Sequence, residues 1–161
     1  MKKVISLCLA VLTAAMCFAG CGKTQESDSA YVKNNGKLIV GITEFEPMDY
    51  QQDGKWVGFD ADMATAFAES LGVKAEFVEI DWDNKTMELD GKTIDCVWNG
   101  MTLTEDVLSA MSCSKAYCNN AQVVVVPKDK AQNYQTAESC KSLKFAVENG
   151  SAGKKQAETN G

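Results

Sequence analysis

The residues best suited to bind a small ligand lie in one polar turn between a predicted strand and a predicted helix. The stretch IDCVWNGMTLTEDV, residues 94–107, begins with a short apolar run and then turns polar. Open α/β sheets bind their ligands at polar turns that follow the carboxyl ends of buried strands. We therefore take Asn99, Gly100, Thr102 and Thr104 as candidate ligand contacts. The alternative is an ordinary connection between a strand and a helix.

The second half of this stretch has the features of a helix start. Thr104 can accept a hydrogen bond as an N-cap, and Glu105 and Asp106 suit the positive end of a helix dipole. Apolar residues then recur at helical spacing, at Val107, Leu108 and Met111. The stretch therefore predicts strand, polar turn and helix in that order.

Two further loops are predicted to open at the same edge of the sheet. Residues 43–45 follow the apolar run KLIVGI, and residues 81–82 follow a predicted strand over 74–80. Loops that converge in this way form a crevice. Phe45 and Trp82 are candidates for its apolar walls, although loop aromatics also commonly cover the edge of a core.

Strands and helices alternate along the rest of the chain. Met63, Phe67 and Leu71 recur at helical spacing, after a predicted cap at Asp60 and before Gly72. A short helix is predicted over residues 85–89, ending at Asp90-Gly91. Later segments predict a buried strand, a short capped helix, a second strand and a polar helix after a turn, over 123–126, 136–143, 144–147 and from 152 onward. This alternation predicts an α/β fold with a parallel, doubly wound sheet.

Composition excludes several classes of function. The 161 residues carry a net charge of −6, and all 16 basic residues are lysine, because the chain has no arginine and no histidine. Without a basic patch or a guanidinium, we expect no nucleic-acid partner. Without imidazole, histidine catalysis and imidazole metal sites are excluded.

The cysteines suggest neither a metal site nor a redox motif. The chain has seven, and no CxxC pair occurs among them. Cys96 is predicted to be a small core residue within a strand. Cys113 and Cys118 are close enough in sequence to pair, but nothing in the sequence requires it.

The amino terminus predicts a secreted lipoprotein. Lys2 and Lys3 precede an apolar run over 4–18, which leads into FAGC. We expect residues 1–20 to be a signal peptide and Cys21 to carry a lipid that anchors the chain to the cell membrane. Residues 21–36 would then be a polar tether. The alternatives are a plain signal peptide and a transmembrane anchor, for which the run is short.

The chain resembles the extracytoplasmic solute-binding proteins, family 3, of polar amino acid ABC transporters. The resemblance rests on VGITEFEPMDY, on GKWVGFDADMATAFAESLGV, on residues 95–104 and on VVVVPKD. It implies a periplasmic-binding-protein fold of type II, with two α/β lobes that trap a ligand between them. Residues 37–126 would form the first lobe and 127–161 the beginning of the second.

The resemblance also implies a ligand site. The two aromatics would pack on the ligand side chain, and the turn after the third strand would bind its ammonium and carboxylate groups. A Gly-Ser-Ala turn before the last helix would donate backbone amides to the carboxylate, as helix N-termini do for anions. The positions implied are Phe45, Trp82, Asn99, Gly100, Thr102, Gly150, Ser151 and Ala152.

The chain departs from the family pattern in three respects. The family usually has an arginine that clamps the α-carboxylate where this chain has Val107, and lysine is not an equal substitute. The usual Phe-Ser-Asp-Pro-Tyr is replaced by CSKAY at residues 113–117. The chain also stops at Gly161, which predicts a fragment that binds weakly. We expect either an unusual ligand or a carboxylate held by amides and hydroxyls alone.

Three functions remain open from the sequence. The first is a carrier that delivers an amino acid-like solute to an ABC permease in the membrane, with no catalytic residue, no metal and no cofactor. The second is a cyclohexadienyl dehydratase-like enzyme, whose general acid would be Glu44 or Asp49, which otherwise are solvated loop acids. The third is the ligand-sensing input domain of a sensor kinase, which lipidation of Cys21 disfavours.

Overall fold

The structure, a computed structural model, describes residues 27–160. The predicted signal peptide and Cys21 lie outside these residues. The chain divides into two compact units between Tyr31 and Val32, and the features below belong to the second unit unless stated. Helix α1 (Asp28–Asn35) falls within the residues predicted as a polar tether, and its Val32 is buried in the core.

The described elements follow the predicted alternation only in the first part of the chain. After α1 they are β1 (Lys37–Ile42), β2 (Tyr50–Gln52), β3 (Lys55–Val57), α2 (Phe59–Ser70), β4 (Lys74–Glu79), α3 (Lys85–Asp90), β5 (Cys96–Val97), α4 (Glu105–Ala110), α5 (Ala137–Cys140) and α6 (Ala152–Asn160). Short 3-10 helices cover Trp82–Asn84 and Lys128–Asn133.

A parallel sheet of three strands, in the order β4-β1-β5, forms the centre of the fold. The prediction for β1 is confirmed, and β4 is one residue shorter than predicted. Only two residues of the predicted third strand, 94–98, form β5. The hydrogen bonding to β1 nevertheless continues on both sides of β5. The backbone N–H groups of Asp95 and Trp98 donate to Ile39 O and Gly41 O, at 2.8 and 3.1 Å. The carboxyl ends of all three strands therefore meet at one edge.

Helix α2 packs on the sheet through small side chains. Ala61, Ala64 and Ala68 are fully buried, whereas Phe67 is 46% exposed. Alanines permit a close approach of helix and sheet. The larger residues that recur at helical spacing, such as Phe67, therefore lie at the side of the interface between helix and sheet. Gly72 ends the helix with a φ of +79°, as predicted.

The start of α2 corrects one prediction. Gly58 occupies the N-cap position, and Asp60 lies inside the first turn with a fully buried side chain. Asp60 therefore does not cap the helix. A hairpin of β2 and β3, which the sequence showed only as a polar turn, precedes Gly58.

Two predicted strands are wrong. In the described part of the chain, residues 123–126 and 144–147 are irregular and pair with no strand. Val123 and Val125 are 77% and 89% exposed. A run of valines favours the extended conformation, but a strand needs a neighbour that supplies hydrogen bonds. A helix follows each of these two segments, α5 after the first and α6 after the second, where the sequence predicted helices. Thr136 caps α5 by accepting from Ser139 N.

The cysteines between residues 27 and 160 are free thiols, so Cys113 and Cys118 are not bridged. Cys96 is partly buried within β5, and burial, followed by the charge of Asp95, raises the pKa of its thiol to about 12. Over the same residues, no helix is both long and apolar enough to cross a membrane.

Candidate ligand-binding site

A cavity of about 230 Å³ lies next to the strand-end edge of the sheet. One wall comes from the loops after β4 and β5, and the other comes from the beginning of α6. The lining residues are Trp82, Lys85, Thr86, Met101, Thr102, Thr104, Asp106, Val107, Ala110, Met111, Gly150, Ser151, Ala152 and Lys155. The cavity thus brings together segments that are about 50 residues apart in the chain.

Five of the eight predicted ligand contacts line this cavity: Trp82, Thr102, Gly150, Ser151 and Ala152. Thr104 and Val107, the position of the missing arginine, line it as well. Phe45, Asn99 and Gly100 lie outside its lining and support the turn from behind.

Asn99 joins the turn after β5 to the loop after β1. Its side chain is buried, and its amide is best satisfied when the nitrogen donates to Asp49 Oδ2 and to Thr43 O, at 2.5 and 3.2 Å. The amide oxygen then accepts from the Thr43 hydroxyl at 2.7 Å. All polar groups of Asn99 are thereby used within the protein, so the residue fixes the position of the turn.

Phe45 packs against Gly100 on the outer side of the same turn. A Cβ atom at Gly100 would lie 2.6 Å from Cε1 of the Phe45 ring, closer than any real contact. The glycine therefore allows the aromatic ring to approach the backbone this closely, and a side chain here would require the ring to move. Phe45 remains 51% exposed, so one face of its ring is open to solvent.

Lys85, which the sequence did not single out, holds a central place in the cavity wall. Its ammonium lies 4.8 Å from the centroid of the Trp82 ring and donates to Trp82 O at 3.0 Å. It also donates to Gly150 O at 3.3 Å, across the cavity from α3 to the turn before α6. Lysine at the start of a polar helix usually indicates a solvated side chain, so the sequence carried no signal for this role.

The hydroxyl of Thr102, in the cavity lining, has its hydrogen available for one further hydrogen bond. Its oxygen accepts from Asn120 Nδ2 at 2.6 Å and from Gln122 Nε2 at 3.2 Å. A hydroxyl has two acceptor positions and one hydrogen, so both acceptor positions are taken. The hydrogen is left for an acceptor on a ligand.

The start of α6 provides further donors. Ser151 caps the helix, because its Oγ accepts from Lys154 N at 3.0 Å. The backbone N–H groups of Ala152 and Gly153 have no acceptor within the helix, as in the first turn of any helix. Two contacts connect this region to the first part of the chain: Asn149 Nδ2 donates to Asp83 Oδ2 at 2.6 Å, and Lys155 pairs with Asp106 at 2.5 Å.

Two carboxyl groups are buried behind the turn. Burial, followed by the charge of the nearby Asp60, raises the pKa of Asp49 to about 7, against the smaller opposite effect of the Ala61 N–H. Burial also raises the pKa of Asp60, although the Tyr117 hydroxyl, which donates to it at 2.8 Å, acts in the opposite direction. The interpretation of Asp49 as a solvated loop acid is therefore wrong. Over residues 27–160, no cluster of acids and thiols could hold a metal ion.

Comparison with known proteins identifies the family. The model of the bacterial extracellular solute-binding proteins, family 3, matches residues 38–158. The chain belongs to this family. A probable histidine-binding protein of Neisseria gonorrhoeae is 34% identical, over 81% of the chain and 49% of that protein. The L-cystine-binding protein TcyJ of Escherichia coli K12 is 32% identical, over 72% of the chain and 44% of that protein.

Solved structures agree with the fold. The ancestral amino acid-binding protein AncCDT-1, described as a precursor of cyclohexadienyl dehydratase, superposes with a TM-score of 0.79 at 31% identity, over 83% of the chain and 61% of that structure. The fold is therefore the type II periplasmic-binding-protein fold, as predicted. The chain spans about half the length of the curated relatives it matches. An enzyme also matches: the cyclohexadienyl dehydratase of Pseudomonas aeruginosa is 29% identical, over 81% of the chain and 48% of that protein.

Proposed function

We propose that the chain is the substrate-binding component of an ABC transporter, which captures an amino acid or a related small solute outside the cell and delivers it to a membrane permease. The observation that carries this proposal is the cavity in which Trp82 and Thr102 meet the turn of Gly150, Ser151 and Ala152. These residues were predicted as ligand contacts from two distant parts of the sequence. The relatives named for histidine and L-cystine binding support the same ligand class.

The geometry suits a small solute with one anionic end and one apolar part. The cavity of about 230 Å³ is smaller than the roughly 300–1,000 Å³ of pockets for drug-sized ligands. The Thr102 hydroxyl and the first N–H groups of α6 are donors for a carboxylate, and the positive end of the helix dipole favours an anion there. Trp82 offers an apolar surface beside them.

The structure favours a carrier over an enzyme on the same fold. Glu44 and Asp49, the two acids considered for general acid catalysis, do not line the cavity. Asp49 has a pKa of about 7 but is fully buried behind the turn, and Glu44 is exposed and accepts from Gln51 N at 3.2 Å. We therefore propose that the chain binds its solute without transforming it, and that it needs no cofactor.

Replacing Trp82 with alanine is expected to weaken ligand binding by about 1–3 kcal/mol, because a large apolar contact is lost. Isothermal titration calorimetry with the standard L-amino acids and L-cystine measures the change. Trp56→Ala is a matched control, since Trp56 lies in the β2–β3 hairpin outside the cavity. Equal affinities of the Trp82 variant and the unchanged protein would remove Trp82 from the site.

We also propose that a lipid on Cys21 anchors the chain to the cell membrane and keeps it close to its permease. FAGC after a basic and apolar start supports this proposal. Cys21→Ala is expected to move the protein from the membrane fraction to the soluble fraction, whereas Cys113→Ala leaves it in place. Retention of the Cys21 variant in membranes would contradict lipid anchoring.

A further inference from the structure

We propose that Lys85 binds the carboxylate of the ligand and supplies the positive charge that an arginine at the position of Val107 would otherwise supply. This inference rests on the proposed function, because it names the group that holds the anionic end of the solute. The ligand it implies is a small molecule with a free carboxylate, such as an α-amino acid.

Lys85 is a buried cation without a carboxylate partner among the described residues. It is 9% exposed, and none of the ion pairs found over residues 27–160 includes it. A buried charge is costly unless another charge or several dipoles compensate for it. Glu148 is near enough for the lysine to lower the pKa of its carboxyl, but burial has the larger effect and raises that pKa. Two carbonyl oxygens and the Trp82 ring compensate for part of the Lys85 charge, and a ligand carboxylate would add a full opposite charge.

The hydrogen bonds of Lys85 leave one donor for a ligand. An ammonium group has three N–H bonds, and two of them point to Trp82 O and Gly150 O. The Trp82 ring attracts the positive charge and limits the movement of the side chain. Lys85 lines the same cavity as Thr102 and the start of α6, so its third donor is the one that a ligand in the cavity could use.

Lys155 lines the same cavity, but unlike Lys85 it has a carboxylate partner within the protein. Its ammonium is already paired with the carboxylate of Asp106 at 2.5 Å, and that hydrogen bond raises its pKa. A ligand carboxylate would have to compete with Asp106 for this lysine. The charge of Lys155 is therefore already compensated within the protein.

The first measurement uses the unchanged protein. The standard L-amino acids and L-cystine are titrated by calorimetry, and the tightest binder is then compared with its own α-carboxamide, which has no negative charge. We expect the carboxamide to bind at least about tenfold more weakly, because a charge-assisted hydrogen bond is lost. Equal binding of acid and carboxamide would overturn the inference without any variant.

The second measurement compares Lys85→Met, Lys85→Arg and Lys37→Met by the same titrations, with thermal melting as the check on folding. Lys85→Met is expected to lose at least about tenfold in affinity for the acid and to bind acid and carboxamide alike. Lys85→Arg keeps the charge and the preference for the acid. Lys37→Met, at a lysine that pairs with Glu76 outside the cavity, changes the affinity by less than about threefold. A folded Lys85→Met protein that still prefers the acid would overturn the inference and leave the proposed function intact. Failure of the unchanged protein to bind any of these solutes would contradict the proposed function and this inference with it.

Discussion

Replacing Gly58 with alanine is expected to lower the free energy of unfolding by about 2–5 kcal/mol, the largest effect we expect from a single added methyl group in this chain. The φ angle of Gly58 is +117°, a conformation that residues with a side chain rarely adopt. The new Cβ would also lie 2.4 Å from Met48 O and 2.8 Å from Pro47 O. These are backbone atoms, so no flexible side chain can move aside.

The strain would spread to the loop that supports the site. Phe59 and Asp60 donate their backbone N–H groups to Pro47 O and Met48 O, at 3.3 and 2.9 Å. A shift of that loop therefore disturbs both the start of α2 and the position of the neighbouring Asp49. Gly72→Ala is the matched control: its φ is +79°, but nothing lies within 4 Å of the added atom. We expect this control to cost about 1–2 kcal/mol, and equal losses in urea denaturation would contradict the proposed clash.

Asp49 is expected to make the protein less stable as the pH rises from about 4 to about 7. Its pKa is about 7 in the folded protein, against an ordinary value of 3.8. Below pH 3.8 both the folded and the unfolded state hold the proton on Asp49, and its stabilising contribution is fully present. Between these values the unfolded chain releases the proton while the folded protein keeps it, so stability falls with rising pH. The loss amounts to at most about 4 kcal/mol and is complete above pH 7.

Asp49→Asn tests this contribution, because an amide of similar shape cannot ionise. The free energy of unfolding is measured by urea denaturation at pH 4.5, 6 and 8 for both proteins. Carboxyl groups far from position 49 affect both proteins alike, so the difference reports Asp49 together with its coupling to Asp60. We expect the free energy of unfolding of the variant to increase relative to that of the unchanged protein as the pH rises. Parallel curves across this range would show that Asp49 ionises as readily in the folded protein as in the unfolded chain.

The parts of the fold that depend on local pattern were predictable from the sequence. After Lys37 the run LIVGI contains no polar side chain, and a strand buried on both faces is what such a run predicts. The cap at Thr104 is equally local, since its Oγ accepts from Val107 N, three residues away, at 3.2 Å. The same holds for the end of α2 at Gly72. In each case the deciding interaction lies within a few residues.

The features that the sequence missed depend on distant partners. An acid at the beginning of a helix usually indicates a cap, but Asp60 turns inward to Tyr117, 57 residues further on. Lys85 has the pattern of a solvated helix residue, but its second acceptor, Gly150 O, is 65 residues away. The polar groups of Asn99 are used by Thr43 and Asp49, in the loop that follows β1. Five of the eight predicted contacts line one cavity, and none of the eight is a charged residue.

The exposed run of valines at 123–126 bears on how the protein behaves at high concentration. Four β-branched residues in succession, with Val123 and Val125 largely in solvent, offer unpaired backbone groups to any extended segment of another molecule. Such segments nucleate aggregation by adding strands from chain to chain. Pro127 and Lys128 directly follow the run and oppose this growth, because proline removes a donor and lysine introduces repulsion between stacked chains. Solubility should thus depend on these two residues, although they contribute nothing to the ligand site.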